Sequence, residues 1–275
     1  MPKYIDIHCH TNFQAFKEDY KNAIGRALDA DTWLINVGTQ LSTSRRAVEI
    51  AHEYPEGVYA AVGLHPIHTG KSYHDEKELG EEGSPSGSGF TSRGENFNYD
   101  AYLLLARDPK VVAIGECGLD YYRAEPESVE KQKKAFIGQI RLANEIKKPL
   151  MLHVRNAYED TLAILKEHAK VKGVVHFFAG TAEQAKAYLD FGFLLSFAGV
   201  LTFTRDYDSA VTAVPLDMIL TDTDSPYVAP APYRGKRNEP SYVREIAKKI
   251  AEIKSVSEEE VLSAIAANAR RLFCI

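Results

Sequence analysis

The segment YIDIHCHTNF, at residues 4–13, begins as a short apolar run and ends with two histidines, His8 and His10. The apolar run predicts a strand, and side chains two residues apart in a strand point to the same face, so the two imidazole rings lie together. A buried imidazole needs hydrogen-bond partners, because an unsatisfied polar group costs free energy. The pair alone is a weak indication of a metal site, since a core histidine is often satisfied by an ordinary hydrogen bond.

Short runs of this kind recur along the chain and alternate with amphipathic helical patterns. The alternation predicts a parallel sheet with helical crossovers, and eight strands are the number that closes a TIM-type barrel. The predicted strands are residues 4–8, 32–37, 58–64, 111–116, 150–154, 173–177, 193–197 and 218–222. Helices are predicted at 128–147, 157–168 and 182–189, and residues 241–272 predict two more, with Ser257 and Glu260 in capping-box spacing. The predicted fold is therefore α/β, a TIM (β/α)8 barrel in a single domain of residues 1–275.

Composition agrees with a globular barrel enzyme. The chain has 275 residues, which is ordinary for this fold, and 45% apolar residues, enough for a sizeable core. It has no apolar run of membrane-spanning length and no signal-peptide layout at its start, and its three dispersed cysteines suit a reducing compartment, so we expect a cytoplasmic protein. The net charge of -5 excludes a general basic coat for nucleic acid but not a local basic site. A monomer is the default expectation.

One segment interrupts the strand-helix alternation. Residues 71–98 are rich in glycine, serine and glutamate and follow the third predicted strand. Such a composition buries little apolar surface, so it predicts a long, mobile loop insertion. The alternative is a lid or substrate-gripping loop, because the segment leaves the end of the barrel where active sites lie.

Polar residues follow the predicted strands at the same end. In a parallel barrel the carboxyl ends of all strands meet at one end, so these side chains converge on a small volume. Their desolvation and mutual repulsion are costly unless a cation is present. The candidate metal ligands are His8, His10, Glu116, His153, His176 and Asp224.

Six ligands exceed the needs of one tetrahedral ion and favour a bridged pair of ions roughly 3.5–4 Å apart. One ion is assigned to His8, His10, Glu116 and Asp224, and the second to Glu116, His153 and His176. The two oxygens of Glu116 make it the natural bridge, and Asp224 is expected to accept or relay a proton from the reacting water. This mixed set of ligands suits Zn²⁺, Mn²⁺, Co²⁺ or Mg²⁺.

Seven motifs in order along nearly the whole chain resemble the TatD-type metal-dependent hydrolases, TIM barrels of the amidohydrolase superfamily. They are HCH at 8–10, GLHP at 63–66, GECGLDYY at 115–122, PLMLHVR at 149–155, SFAGVLTF at 196–203, DTDSPY at 222–227 and RGKRNEP at 234–240. The resemblance implies a divalent-metal deoxyribonuclease, acting as a 3′-5′ exonuclease on single-stranded ends, with the ligands assigned above. It also implies that His65, in GLHP, contacts a substrate phosphate and joins Asp224 and Glu116 as a catalytic residue. A hydrogen bond within the loop is the alternative for His65.

A local basic site is predicted around the metal end of the barrel. Arg123, Arg155, Arg234 and Lys236 follow predicted strands there and are candidates to neutralise phosphates. Tyr121 is a candidate to stack on an unpaired base, and Tyr122, Phe203 and Tyr227 lie at the same loop level. Ordinary salt bridges are the alternative for each arginine, above all for Arg237 beside Glu239. We therefore expect single-stranded DNA or DNA 3′ ends as the substrate.

Other functions remain open, because the barrel fold does not decide the substrate. One alternative is a metal-dependent amidohydrolase or deaminase on a small molecule, which includes a deacylase on aminoacyl-tRNA. Another is a metal-binding scaffold without catalysis. Four positions depart from the usual family pattern and leave the substrate preference open: Asn12, Phe177, Ala179 and Asp222.

Overall fold

The computed structural model describes residues 2–70, 72–74, 90–92, 94–122 and 124–275. Eight parallel strands pair in chain order and form a nearly closed barrel, which confirms the predicted fold class. The barrel strands are β1 (Tyr4–Cys9), β2 (Thr32–Val37), β3 (Val58–Val62), β6 (Val111–Asp120), β7 (Leu150–Arg155), β8 (Gly173–Val175), β9 (Leu194–Phe197) and β10 (Ile219–Thr221). Two short strands, β4 (Ser72–His74) and β5 (Phe90–Ser92), pair antiparallel outside the barrel.

Helices connect the barrel strands and cover them. They are α1 (Tyr20–Asp29), α2 (Leu41–His52), α3 (Tyr99–Ala106), α4 (Pro126–Ile146), α5 (Tyr158–His168), α6 (Ala182–Asp190), α7 (Asp208–Ala213), α8 (Val243–Lys254) and α9 (Glu258–Phe273). The two helices predicted at 241–272 are confirmed as α8 and α9, and Ser257 and Glu260 form the predicted capping box. Among the described helices, none is both long and apolar enough to cross a membrane.

Hydrogen bonds between the first and last strands bring the two ends of the barrel sheet together. The buried Asp6 carboxylate accepts from the backbone N–H of Thr223 at 2.9 Å and from its hydroxyl at 2.6 Å. Two backbone hydrogen bonds follow toward the carboxyl ends of these strands. The N–H of His10 donates to the carbonyl of Ser225 at 2.8 Å, and the N–H of Asp224 donates to the carbonyl of His8 at 2.9 Å. The HCH motif and the DTDSP motif therefore lie side by side.

The fourth barrel strand is longer than its predicted range of 111–116. It continues to Asp120, and its pairing with β7 is irregular between Ile114 and Cys117 before it resumes as far as Arg155. Gly118 has a φ of +133°, and a Cβ there would clash with the backbone of His153. Gly118 therefore allows close strand pairing beyond Glu116, and the predicted strand end at Glu116 was wrong.

Other predicted strand ends differ by a few residues. The third, sixth and eighth strands end at Val62, Val175 and Thr221, before the polar residues that follow them. The predicted insertion at 71–98 falls mainly on residues outside the described set. Within it, the pairing of β4 with β5 was not predicted from the sequence.

Candidate metal centre

The six predicted ligands lie together at the carboxyl end of the barrel, as two groups on either side of one carboxylate. On the first side, the Nε2 atom of His8 lies 3.5 Å from Glu116 Oε2 and 3.7 Å from Asp224 Oδ1. His10 Nε2 lies 3.3 Å from Asp224 Oδ1 and 3.1 Å from His8 Nε2. Two imidazole nitrogens and two carboxylate oxygens therefore face one small space.

On the second side, three histidine nitrogens surround the other oxygen of Glu116. The Oε1 atom lies 2.8 Å from His176 Nε2, 3.0 Å from His153 Nδ1 and 3.2 Å from His65 Nε2. Each oxygen of Glu116 thus belongs to a different group of histidines. Such an arrangement suits a carboxylate that bridges two cations.

The barrel strands and their first loop residues hold these side chains in place. The ring of His8 stacks on that of His176 with centroids 3.7 Å apart, and the ring of His10 stacks on Phe13 at 4.2 Å. The backbone N–H of Glu116 donates to the carbonyl of Gly38 at 3.0 Å. Asp224 has a φ of +51°, a conformation that non-glycine residues adopt rarely and at a cost, and one that is concentrated at functional sites.

Hydrogen bonds outside the cluster determine which ring nitrogens face it. His10 Nδ1 lies 2.8 Å from the carbonyl of Val37, which only accepts, so in the neutral ring Nδ1 carries the proton and Nε2 presents a lone pair to the site. His153 Nε2 lies 2.9 Å from Asp120 Oδ2, so in the neutral ring Nδ1 presents its lone pair toward Glu116. In metal-ligating histidines, the ring nitrogen that does not bind the metal usually donates a hydrogen bond to a carboxylate or a carbonyl, as it does here.

Asp120 is a site residue that the sequence analysis missed. Its side chain is buried, and it lies four residues after Glu116 on the same strand. The predicted strand ends at Glu116, so the prediction assigns no strand face to Asp120. A strand extended through GECGLD places residues 116 and 120 on one face, and that was the available signal.

His65 faces the cluster with a different tautomer. Its Nδ1 atom accepts a hydrogen bond from the backbone N–H of Ile67 at 3.2 Å. The neutral ring therefore carries its proton on Nε2, which lies 3.2 Å from Glu116 Oε1. His65 presents a hydrogen-bond donor to the site, whereas His10 presents a lone pair. This geometry suits contact with a substrate oxygen better than metal ligation.

The electrostatics of the cluster keep His8, Glu116 and Asp224 in the form that binds a cation. Burial is the main reason that the pKa of His8 falls to about 3, so this ring is neutral near pH 7. Burial raises the pKa of Glu116, but at low pH, where the neighbouring rings are protonated, the attraction of His65, His176 and His8 outweighs burial, and the pKa lies well below its ordinary value. Burial likewise opposes ionisation of Asp224, but its hydrogen bond with His10 and nearby positive charge lower its pKa. A neutral imidazole and two ionised carboxylates suit a divalent cation. Burial lowers the pKa of His10, but its hydrogen bond with Asp224 and the charge of Asp224 outweigh burial and raise the pKa, so a cation competes with a proton on that ring.

His153 couples cation binding to pH. Burial lowers its pKa, but its hydrogen bonds with Asp120 and Glu116 outweigh burial and raise the pKa to about 9.

Because a metal competes with the proton on Nδ1, we expect the affinity for a divalent ion to rise with pH up to about 9, with one proton released per His153 that binds. Calorimetric titration of Mn²⁺ or Zn²⁺ at pH 7, in buffers of different protonation enthalpy, measures that proton. The same titration of His153→Ala is expected to release about one proton fewer, and equal release in both proteins would contradict this assignment.

Of the predicted substrate-binding residues, His65 and Arg155 line a cavity of about 850 Å³ above the cluster. Arg155 lines this cavity, and its guanidinium lies 3.8 Å from the ring centroid of Tyr122, which also lines it. Arg234 is exposed and lies 3.9 Å from the ring centroid of Phe203, and Lys236 is exposed on the same loop. Two arginine-aromatic pairs therefore lie at this end of the barrel.

Two other side chains that the sequence singled out do not line the cavity. Tyr121 is not among the residues that line it, because its hydroxyl donates to Asp160 Oδ2 at 2.8 Å. Arg237 pairs with Asp19 at 2.6 Å and with Glu239 at 3.2 Å, so it follows the salt-bridge alternative. Arg123 lies outside the described residues.

Comparisons with known proteins agree with this fold. The model of the TatD related DNase family matches residues 5–274. YabD of Bacillus subtilis, named an uncharacterized metal-dependent hydrolase, is 38% identical over 278 residues, which cover 98% of this chain and 99% of YabD. YcfH of Escherichia coli K12, which has the same description, is 34% identical with coverage of 98% and 96%. The crystal structure of YjjV, a TatD homolog from E. coli K12, superposes with a TM-score of 0.82 at 27% identity, covering 99% of this chain and 98% of YjjV.

The fold, the ligand cluster and these matches define a metal-dependent hydrolase built on a TIM barrel. The chain belongs to the TatD related DNase family, which confirms the resemblance found in the sequence.

Proposed function

We propose that the protein is a divalent-metal-dependent deoxyribonuclease that removes nucleotides from the 3′ ends of single-stranded DNA. The observation that carries the proposal is the position of Glu116, with one oxygen toward each group of histidines. The first ion would be held by His8, His10, Glu116 and Asp224, and the second by Glu116, His153 and His176. Zn²⁺, Mn²⁺, Co²⁺ and Mg²⁺ all suit this mixed set of nitrogen and oxygen ligands. When bound, such ions supply the Lewis-acid chemistry that activates water and neutralises charge on a phosphoryl group.

The protein's own groups are placed to move a proton and to hold the phosphate. The side chain of Asp224 is 20% exposed, and its lowered pKa leaves it ionised near neutral pH, so it is the candidate acceptor for a proton from the attacking water. His65 directs its Nε2–H into the site and is the candidate donor to a non-bridging phosphoryl oxygen.

The shape of the cavity and the basic and aromatic residues at this end of the barrel favour the end of a single strand. A cavity of about 850 Å³ is within the range of sites that enclose one small ligand, which is about the scale of a nucleotide. Glu116 is buried at the cluster, so the scissile bond must enter the pocket, which the middle of a duplex does not readily do. Arg155 with Tyr122, and Arg234 with Phe203, offer a cation for phosphate and an aromatic face for a base.

The test is a nuclease assay with defined DNA ends. Metal-stripped protein receives Mg²⁺, Mn²⁺, Zn²⁺ or Co²⁺ separately and is offered single-stranded DNA labelled at the 5′ end. A ladder of progressively shorter labelled strands supports attack from the 3′ end, whereas release of the label as a mononucleotide indicates attack from the 5′ end. If DNA survives with every metal, deacylation of aminoacyl-tRNA and release of ammonia or carboxylate from small molecules become the leading activities to assay.

The exposed cations on the loop after β10 lead to a prediction on affinity. We expect Arg234→Ala combined with Lys236→Ala to weaken binding of single-stranded DNA and to flatten the slope of log K against log salt by about 1.4, which is about 0.7 for each phosphate that the variant no longer neutralises. Fluorescence anisotropy at several salt concentrations measures this slope. The matched control is Lys3→Ala combined with Lys170→Ala, which removes two exposed cations before β1 and β8, at the opposite end of the barrel. Equal slopes in the variant that lacks Arg234 and Lys236 and in the control would show that this loop does not touch the DNA backbone.

A further inference from the structure

Two buried glutamines project from helix α4 toward the candidate metal centre. Gln132 is 2% exposed and Gln139 is 1% exposed. They are seven residues apart, which is nearly two helical turns, so they lie on the same face of the helix. Neither has a place in the proposed chemistry. Each one uses its side-chain amide to bind both backbone polar groups of a single residue, which lies at the end of β6 for Gln132 and just after β3 for Gln139.

Gln139 binds the residue that precedes His65. Its Oε1 atom accepts from the backbone N–H of Leu64 at 2.8 Å, and its Nε2 donates to the carbonyl of Leu64 at 3.0 Å. Gly63 makes this approach possible, because a Cβ there would lie 2.8 Å from Gln139 Oε1. Leu64 lies after the end of β3, where the strand ladder no longer satisfies its backbone. The amide of Gln139 takes over that role and fixes the chain from which His65 points into the site.

Gln132 binds the residue that holds His153. Its Oε1 atom accepts from the backbone N–H of Asp120 at 2.8 Å, and its Nε2 donates to the carbonyl of Asp120 at 2.9 Å. These two bonds fix the backbone of Asp120. Its side chain accepts from His153 Nε2 through Oδ2 at 2.9 Å. The other carboxylate oxygen, Oδ1, accepts from the backbone N–H of Tyr122 at 2.8 Å. The position of Gln132 is thus transmitted through Asp120 to the ring of His153.

We propose that Gln132 and Gln139 are positioning residues, through which α4 orients His153 and His65 independently. Gln132 acts on a metal ligand, and Gln139 acts on a residue that binds substrate. The proposal rests on the metal centre proposed above but not on DNA as the substrate. It predicts that the same substitution has different effects at the two glutamines. At Gln132 it weakens metal binding, and at Gln139 it lowers turnover.

The test compares Gln132→Met with Gln139→Met. Methionine is similar in length and favours helix, but it makes neither hydrogen bond. The glutamate variants Gln132→Glu and Gln139→Glu keep an acceptor for the backbone N–H and lose the donor, so we expect a partial rescue. Ile140→Val is the control for packing, because Ile140 is fully buried on the same helix and has no polar side-chain atom. Three quantities are measured on the full chain: the calorimetric affinity for Mn²⁺ or Zn²⁺, the ¹⁵N NMR shifts of the histidine rings, and kcat and KM.

We expect Gln132→Met to weaken binding of one metal ion by about 10- to 100-fold and to shift the ring nitrogens of His153. Gln139→Met is expected to leave metal affinity unchanged, to shift the ring nitrogens of His65 and to lower kcat/KM by up to about 100-fold. Ile140→Val is expected to change none of these.

Equal loss of metal affinity in both methionine variants, or unaltered His65 and His153 signals, would overturn the proposal. If a methionine variant does not fold, its glutamate variant carries the same comparison. If the protein does not cleave DNA, the titration and the NMR shifts still decide the question, so failure of the proposed function is distinguishable from failure of this inference.

Discussion

Glu116→Gln is expected to lower metal-supported hydrolysis by about 10³-fold or more, because the Glu116 carboxylate faces both halves of the metal centre. A glutamine side chain keeps the shape but has one oxygen, no charge and an amide group whose hydrogens would face a histidine nitrogen. It therefore cannot serve two cations at once. Measurement of kcat/KM with each metal, together with metal content per chain, tests the loss of activity and the loss of binding separately.

The control for this substitution is Glu127→Gln, which makes the same chemical change at a carboxylate that is 84% exposed in the first turn of α4. It is expected to retain wild-type activity and metal content. Circular dichroism of Glu116→Gln shows whether the barrel is intact. A folded Glu116→Gln protein that binds two ions and keeps more than about a tenth of its activity would refute the bridging role.

His153→Ala is expected to reduce the bound metal from two ions per chain to one and to remove most turnover. The side chain of His153 is 20% exposed at the open end of the barrel, so its removal leaves space that water can fill and does not open a cavity in the apolar core. We therefore expect the barrel to stay folded, with a small change in Tm. Metal analysis after equilibrium dialysis, thermal unfolding and the nuclease assay measure the three effects.

His168→Ala provides the comparison for His153→Ala. His168 is at the end of α5, its side chain is 30% exposed, and its ion-pair distance to Glu167 is 3.7 Å. If His153 is a ligand and His168 is not, metal content is normal in His168→Ala and reduced in His153→Ala. Two bound ions and full turnover in His153→Ala would show that the second ion is held without this residue.

Patterns that depend on local chain geometry could be predicted from the sequence. The alternation of apolar runs with amphipathic segments predicted eight parallel strands, and the spacing of Ser257 and Glu260 predicted a helix start. The structure brings the six candidate ligands together for the same reason. In a parallel barrel the carboxyl ends of the strands share one end, so side chains that follow different strands meet even when strand lengths are misjudged by a few residues.

The hydrogen bonds that connect different strands and helices at the site could not be predicted, because they join residues that are far apart in the chain. Gln139 and Leu64 are 75 positions apart, and their contact depends on how α4 packs against the end of β3. The role of Asp120 was hidden by an irregularity in strand pairing, since alternation assigns a face only where a strand is correctly delimited.

The sequence by itself therefore determined the barrel, the end at which the site lies and the residue types that converge there, because strand direction and side-chain periodicity are properties of short segments. Only the tertiary structure decided that His65 offers a proton while His10 offers a lone pair, and that Tyr122 rather than Tyr121 lines the cavity. The physical reason is that a tautomer or a side-chain direction depends on the hydrogen-bond partner that the fold supplies, such as the carbonyl of Val37 for His10 or the carboxylate of Asp160 for Tyr121.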